Sequence, residues 1–202
     1  MKQILVYIAV SVSLMFSLPV LAEVAPDVLA RNTTDEVVSI VKKDPDFKRA
    51  NSRKIDNLVE AKILPHFDFE RMTRLAVARN WNSATPEQQT KLVNEFRTLL
   101  VHTYAASISS VADYKIDVLP VRMAAGDTDV TVDTTVTRPG TAPITISYRM
   151  ENKGGSWLVY DVVVENVSLV TNYRSNFNSE VRRSGIDGLI QALVRRNQQT
   201  PN

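Results

Sequence analysis

The side chains that usually carry chemistry are sparse in this chain. It has two histidines and no cysteine. Structural and catalytic metal sites normally show closely spaced Cys and His ligands. His66 follows Pro65 at a helix end and His102 lies inside a helical stretch, so the pair has no such spacing; no metal is expected. No G-x-S-x-G elbow occurs, and the serines fall in caps and on polar faces. Gly154-Gly155 is a hairpin turn and Gly185…Gly188 brackets a helix break, so neither forms a phosphate loop. The best candidate for acid–base work is Asp161, which shares a strand face with Glu165. A carboxylate inside a concave sheet could act as a general base. The competing reading sets both near an edge, paired with arginine or backbone.

What must position Asp161 is the stretch 157–173, WLVYDVVVENVSLVTNY. Alternation puts Leu158, Tyr160, Val162 and Val164 on one face, and Trp157, Val159, Asp161, Val163 and Glu165 on the other. Ser168 then reads as an N-cap. Leu169, Tyr173, Phe177 and Val181 follow at helical spacing. A buried strand therefore hands over to a helix beside the sheet.

Upstream, Pro26 opens a helix over 26–43 that Asp44-Pro45-Asp46 breaks. A second helix begins at Asn51 or Ser52 and stops at Pro65. Asp68 caps a third, carrying Phe69, Met72, Leu75, Ala76 and Val77 inward, and Asn80 is its expected left-handed end. Thr85-Pro86-Glu87-Gln88 combines a cap, a proline at the first helical position and a capping box. The helix it starts, expected to reach about residue 109, carries Leu92, Phe96, Leu99, Leu100, Thr103, Tyr104 and Ile108 and should lie across the sheet. Then the period changes to two. Tyr114, Ile116 and Val118 alternate, then Val130, Val132, Thr134 and Val136, then Ile144, Ile146, Tyr148 and Met150. With the strand at 157 they make a four-stranded antiparallel meander. Gly185 ends the helix after Ser168, and Ile186 to Val194 offers a last one. The fold class is α+β.

The first 22 residues read as a cleaved leader, with Lys2, an apolar run from Ile4 to Leu18, and Val20-Leu21-Ala22 before the cut. The run is short of the roughly 20 apolar residues a spanning helix needs. Residues 23–202 then form one unit: helices over about 26–110, sheet over about 113–165, C-terminal helices over about 168–197. An exported chain without cysteine suits a Gram-negative periplasm. With 24 basic and 22 acidic side chains, bulk nucleic-acid binding is not suggested. The apolar strand faces and Tyr104, Tyr148, Tyr160 and Tyr173 read as core, and a filled core and a hollow one look alike in sequence.

Several stretches together resemble the MlaC family, also called the toluene-tolerance Ttg2 family. They are Ile63-Leu64-Pro65-His66-Phe67-Asp68-Phe69, Trp81-Asn82-Ser83-Ala84-Thr85-Pro86-Glu87-Gln88-Gln89, and Phe96-Arg97 through Leu100 with Thr103-Tyr104. Near the end come Trp157-Leu158-Val159-Tyr160-Asp161-Val162, Glu165-Asn166-Val167-Ser168-Leu169-Val170, Tyr173-Arg174 and Gly185-Ile186-Asp187-Gly188-Leu189. Two departures stand out. Members often carry Gly in the segment where this chain has Ala78-Arg79-Asn80 before Trp81, and before Val-Ser, where Asn166 stands here.

The resemblance implies a curved antiparallel sheet covered by helices, similar to the nuclear-transport-factor-like superfamily, with an N-terminal helical lobe. It implies a periplasmic carrier without catalysis, whose cargo is a glycerophospholipid such as phosphatidylethanolamine or phosphatidylglycerol. The implied partners are an inner-membrane ABC transporter complex with an MCE-domain subunit and an outer-membrane lipoprotein–porin complex. Their joint task would be to maintain outer-membrane lipid asymmetry. Acyl chains would lie between sheet and helices. The residues expected to touch them are Leu75, Leu99, Leu100, Tyr104, Ile108, Val130, Val132, Ile144, Ile146, Tyr148, Val162, Val164, Val167, Leu169, Val170 and Tyr173. Two other readings remain at this point: an enzyme using Asp161 as base, and an interaction module with a filled core. The cations Arg182, Arg183, Arg195 and Arg196 suit anionic headgroups, acidic partner surfaces or simply solvated helix ends.

Overall fold

The computed structural model describes residues 24–199 apart from 48, 50, 51 and 125. The leader expected over 1–22 lies outside the described residues. Helix α1 is Pro26–Lys43 and α2 is Ser52–Leu58; a π-turn, Val59–Ile63, and a 3-10 turn, Leu64–His66, follow. Helix α3 is Phe69–Val77, with a 3-10 stretch Ala78–Ser83 behind it. Helix α4 is Pro86–Tyr104, and a 3-10 segment Ala105–Asp113 carries the chain to the sheet. The strands are β1 Lys115–Val118, β2 Asp129–Thr137, β3 Ile144–Lys153, β4 Ser156–Val164 and β5 Val167–Ser168. Helix α5, Leu169–Gln199, closes the chain and is broken at Gly185, whose φ of 70 and ψ of −175 are not helical.

The local chemistry explains most of these boundaries. Thr85 and Gln88 form the reciprocal capping box at α4, and Asp68 accepts the Arg71 N–H at α3. Ser168 caps α5 by accepting the Thr171 N–H at 3.0 Å. Gly154 and Gly155 both have positive φ, which is what a two-residue hairpin turn of the primed type demands between Lys153 and Ser156.

The sheet is a five-stranded antiparallel meander in the order β1-β2-β3-β4-β5. The fifth strand is one more than the alternation predicts. It is two residues long, too short for a period to register, and forms because Glu165 (φ 47) and Asn166 (φ 66) turn the chain straight back onto β4. Asn166 tolerates this left-handed geometry better than most side chains would. The left-handed end of α3, however, falls on Ala78 (φ 55, ψ −131) and not on Asn80.

A second correction concerns strand phase. In the β3–β4 pairing Arg149 faces Asp161 but Met150 faces Val159, so Tyr160 is an extra residue on β4. Such a bulge changes the parity of everything before it. Trp157 and Val159 therefore share a face with Val162 and Val164, and Leu158 does not; Trp157, Val159 and Val162 pack with Met150 and Val132.

Three hydrophobic clusters result. One is wholly helical, uniting α3, α4 and α5 around Met72, Leu92, Phe96, Leu99, Tyr173, Phe177 and Leu189. A second joins α1, α2 and the segments after α2 and α4, around Val37, Val41, Ile55 and Ala105. The third lies on the sheet around Val118, Val132, Met150, Trp157 and Val159. Helix α4 does not lie across the sheet as its apolar face suggests, because α3 and α5 occupy that face; α1 crosses β1 and β2 instead. Arg31 Nη2 fixes α1 there by donating to the Val118 carbonyl at 2.7 Å.

The alanine at positive φ stores strain that glycine lacks, since only the Cβ opposes that backbone. Ala78→Gly is expected to stabilise the fold by about 1 kcal/mol. Thermal unfolding would report this as a midpoint raised by roughly 2–4 °C.

Candidate functional site

Between the second and third clusters the packing is incomplete. A cavity of about 520 Å³ lies there, within the roughly 300–1,000 Å³ range of small-molecule sites. Its floor is one face of the sheet. Ile144, Ile146, Tyr148 and Met150 alternate along β3, with Ile116 and Val136 on one side and Val159 and Val164 on the other. Its roof is α1, where Leu29 and Ala30, Thr33 and Thr34, and Val37 recur four residues apart and so point one way. Ile63, His66 and Phe67 wall it from the turns after α2; Ser107, Ile108, Ser110, Val111 and Tyr114 do so from the segment after α4.

Ile144 and Val164 line the cavity yet are 39% and 40% exposed, so the hollow reaches solvent along that margin. Val167, 62% exposed, extends the apolar rim outward. Arg138 sits over the ring of Tyr114 at 5.6 Å. Among the described residues that line it there is no Asp, Glu, Lys or Arg. The polar groups are hydroxyls and His66. Burial pushes the Tyr148 phenol above its ordinary pKa, so it stays neutral on the floor.

Five of the residues expected to touch acyl chains line this cavity: Ile108, Ile144, Ile146, Tyr148 and Val164. Val130, Val132 and Val162 belong to the adjoining sheet cluster, with Val132 fully buried. The helical candidates go elsewhere. Leu99, Leu100, Val170 and Tyr173 are buried in the α3–α4–α5 cluster, and Leu75 and Leu169 pack against it. Tyr104 is 44% exposed at the end of α4, and Val167 lies outside on the rim. For Leu99, Leu100 and Tyr104 the expectation places α4 on the sheet, whereas the apolar face of α4 is covered by α3 and α5. Sequence reasoning missed the roof. The four-residue spacing of Leu29, Thr33 and Val37 was available, but two threonines inside the stripe mask its apolar character.

Asp161 does not line the cavity. Its Oδ2 accepts from Ser168 Oγ at 2.6 Å and its Oδ1 from the Val170 N–H at 3.1 Å, and Arg149 stands 3.4 Å away. At 2% exposed, the residue holds the start of α5 against β4, a favourable place for negative charge. Glu165 is exposed, and its carboxylate accepts the Thr145 N–H.

Ion pairs on the sheet's polar side fasten it to α3. Arg71 bonds Glu151 and reaches Asp129 at 3.0 Å, while its guanidinium covers the Tyr160 ring at 3.5 Å. Lys153 pairs with Asp68 at 3.0 Å. Burial raises Asp68, but the Arg71 N–H and the Lys153 ammonium together bring its carboxyl below the usual range. Burial, then the hydrogen bond from Tyr160 to Asp129 at 2.7 Å, pushes the Tyr160 phenol up to about 12.

An α+β fold with a largely apolar hollow between a curved sheet and a helix has the architecture of an apolar-ligand-binding class of protein. The family model described as MlaC protein matches residues 31–195, and the chain belongs to that family. It is 24% identical over 176 residues to the intermembrane phospholipid transport system binding protein MlaC of Haemophilus influenzae, covering 86% of this chain and 82% of that one. It is 24% identical over 173 residues to the toluene tolerance protein ttg2D of Pseudomonas putida, covering 85% and 80%. A solved structure, the phospholipid-binding protein from Ralstonia solanacearum in complex with a phospholipid, aligns with a TM-score of 0.79 and 37% identity. It covers 86% of this chain and 97% of its own.

The raised Tyr160 pKa sets an alkaline limit. Above the ordinary phenol value of 10.0 the unfolded chain gives up a proton that the folded chain keeps until about 12, so this contribution to stability is whole below that window and is lost as pH rises through it. Urea unfolding at about pH 9 and about pH 11 is expected to give a smaller alkaline loss in Tyr160→Phe than in wild type.

Proposed function

We propose that this protein is a periplasmic carrier that holds the acyl chains of a glycerophospholipid in the cavity between α1 and the sheet. It passes the lipid between an inner-membrane ABC transporter complex with an MCE-domain subunit and an outer-membrane lipoprotein–porin complex, maintaining outer-membrane lipid asymmetry. Phosphatidylethanolamine and phosphatidylglycerol are the proposed cargo. The observation that carries this reading is the uncharged lining, apolar on its sheet floor and open at an apolar rim. The relatives named as phospholipid-transport and phospholipid-binding proteins support it.

The energetics favour a smooth apolar site. Removing acyl carbon from water gains about 0.8 kcal/mol per methylene. Two long chains then make free lipid in water unfavourable by roughly 20 kcal/mol or more on that scale. A bilayer already supplies this gain, so the cavity has only to match it for the lipid to leave one membrane and enter another. Catalysis is not needed for such an exchange, and Asp161 is committed to α5.

Organic extraction and mass spectrometry of gently purified protein are expected to find diacyl lipid at about one per chain. No lipid under those conditions would count against the carrier.

Two substitutions separate the cavity from the solid core. Ile146→Asp puts a carboxylate on the floor, and co-purified lipid should fall to about a tenth or less while the protein stays folded by circular dichroism. Leu99→Ala should cost about 2–5 kcal/mol of stability, yet leave lipid per folded molecule unchanged.

A further inference from the structure

Resting on that reading, we propose that the cargo class is wider than phospholipid. The site accepts any two-tailed lipid of matching chains, including diacylglycerol, which carries no phosphate at all. The inference comes from what the lining holds. A phosphate drawn into a protein interior needs a cation or a cradle of N–H donors to replace its water. Among the described residues the cavity presents Thr33, Thr34, Ser107 and Ser110 hydroxyls, His66 and two tyrosines, and no Lys or Arg. Among the described residues, the arginine stacked on a lining ring is Arg138. It lies over Tyr114 and is itself exposed to solvent. A cation in that position is screened by water and salt and changes affinity by about fivefold at most.

The polar end of a bound lipid therefore stays in water at the rim formed by Ile144 and Val164. It is also in water when the lipid sits in a bilayer. Its hydration enters both sides of the exchange and cancels, leaving the tails to set the equilibrium. Two lipids with identical tails then compete as near equals whether the third glycerol position bears phosphoethanolamine or a bare hydroxyl.

The test uses the wild-type protein, stripped of lipid by detergent and refilled from vesicles. The vesicles are phosphatidylcholine with equal small fractions of dioleoyl phosphatidylethanolamine and dioleoylglycerol. Mass spectrometry of the re-isolated protein is expected to give the two in a ratio within about threefold of that in the vesicles. Phosphatidylethanolamine taken up with dioleoylglycerol disfavoured by about tenfold or more would overturn the inference and leave the carrier reading intact. Uptake of neither lipid would sink the carrier reading, and this inference with it.

Discussion

Phe96 lies edge-on to both Tyr173 and Phe177, with ring centroids 5.0 and 5.1 Å apart. Those contacts, with Met72, Leu92 and Leu99 around them, join α4 to α5 and α3 in a core that does not involve the sheet floor. Such aromatic pairs contribute beyond the area they bury. Because the longest unbroken helix spends its apolar face there, the opposite face of the sheet is left to α1 and the short turns. One 18-residue helix, with threonines in its inward stripe, does not fill a curved floor of Ile, Val, Tyr and Met. The hollow follows from how the apolar surface is divided among the helices.

The extra residue at Tyr160 serves both halves of this division. It swings Trp157 and Val159 to the cavity side of β4, in line with Val162 and Val164. It also sends Tyr160 to Asp129 and Arg71, while Asp161 goes to Ser168 and the Val170 N–H. A strand with strict alternation could not supply all three sets of contacts. The carboxylate that looks most like a catalytic base is thus the anchor of a helix. Charge is sorted in the same way. The ion pairs Arg71–Asp129, Arg71–Glu151 and Lys153–Asp68 fasten sheet to α3 on one side, and the cavity wall on the other is uncharged.

Much of the fold was legible because its signals are local. Caps at Asp68, Thr85 and Ser168, the Gly154-Gly155 turn, the break at Gly185 and the alternation along β3 each depend on a few adjacent residues. The side of β3 that floors the cavity follows from that alternation, so the shared face of Ile144, Ile146 and Tyr148 was legible. The surroundings of Leu99, Leu100, Leu169, Val170 and Tyr173 were not, because an apolar helix face specifies that it will be buried and leaves the covering partner open. The end of α3 near Ala78 was legible too, though the positive φ at Ala78 itself was not.

By itself, then, the sequence determined an α+β chain, its element types, its main turns and its family likeness, all encoded by near neighbours and by matching runs of residues. The tertiary structure alone decided the parity of β4, the pairing of α4 with α5, and the assignment of α1 as the cavity roof. Those depend on which distant surfaces meet: a one-residue bulge reverses a face, and an empty space has no side chain of its own to announce it.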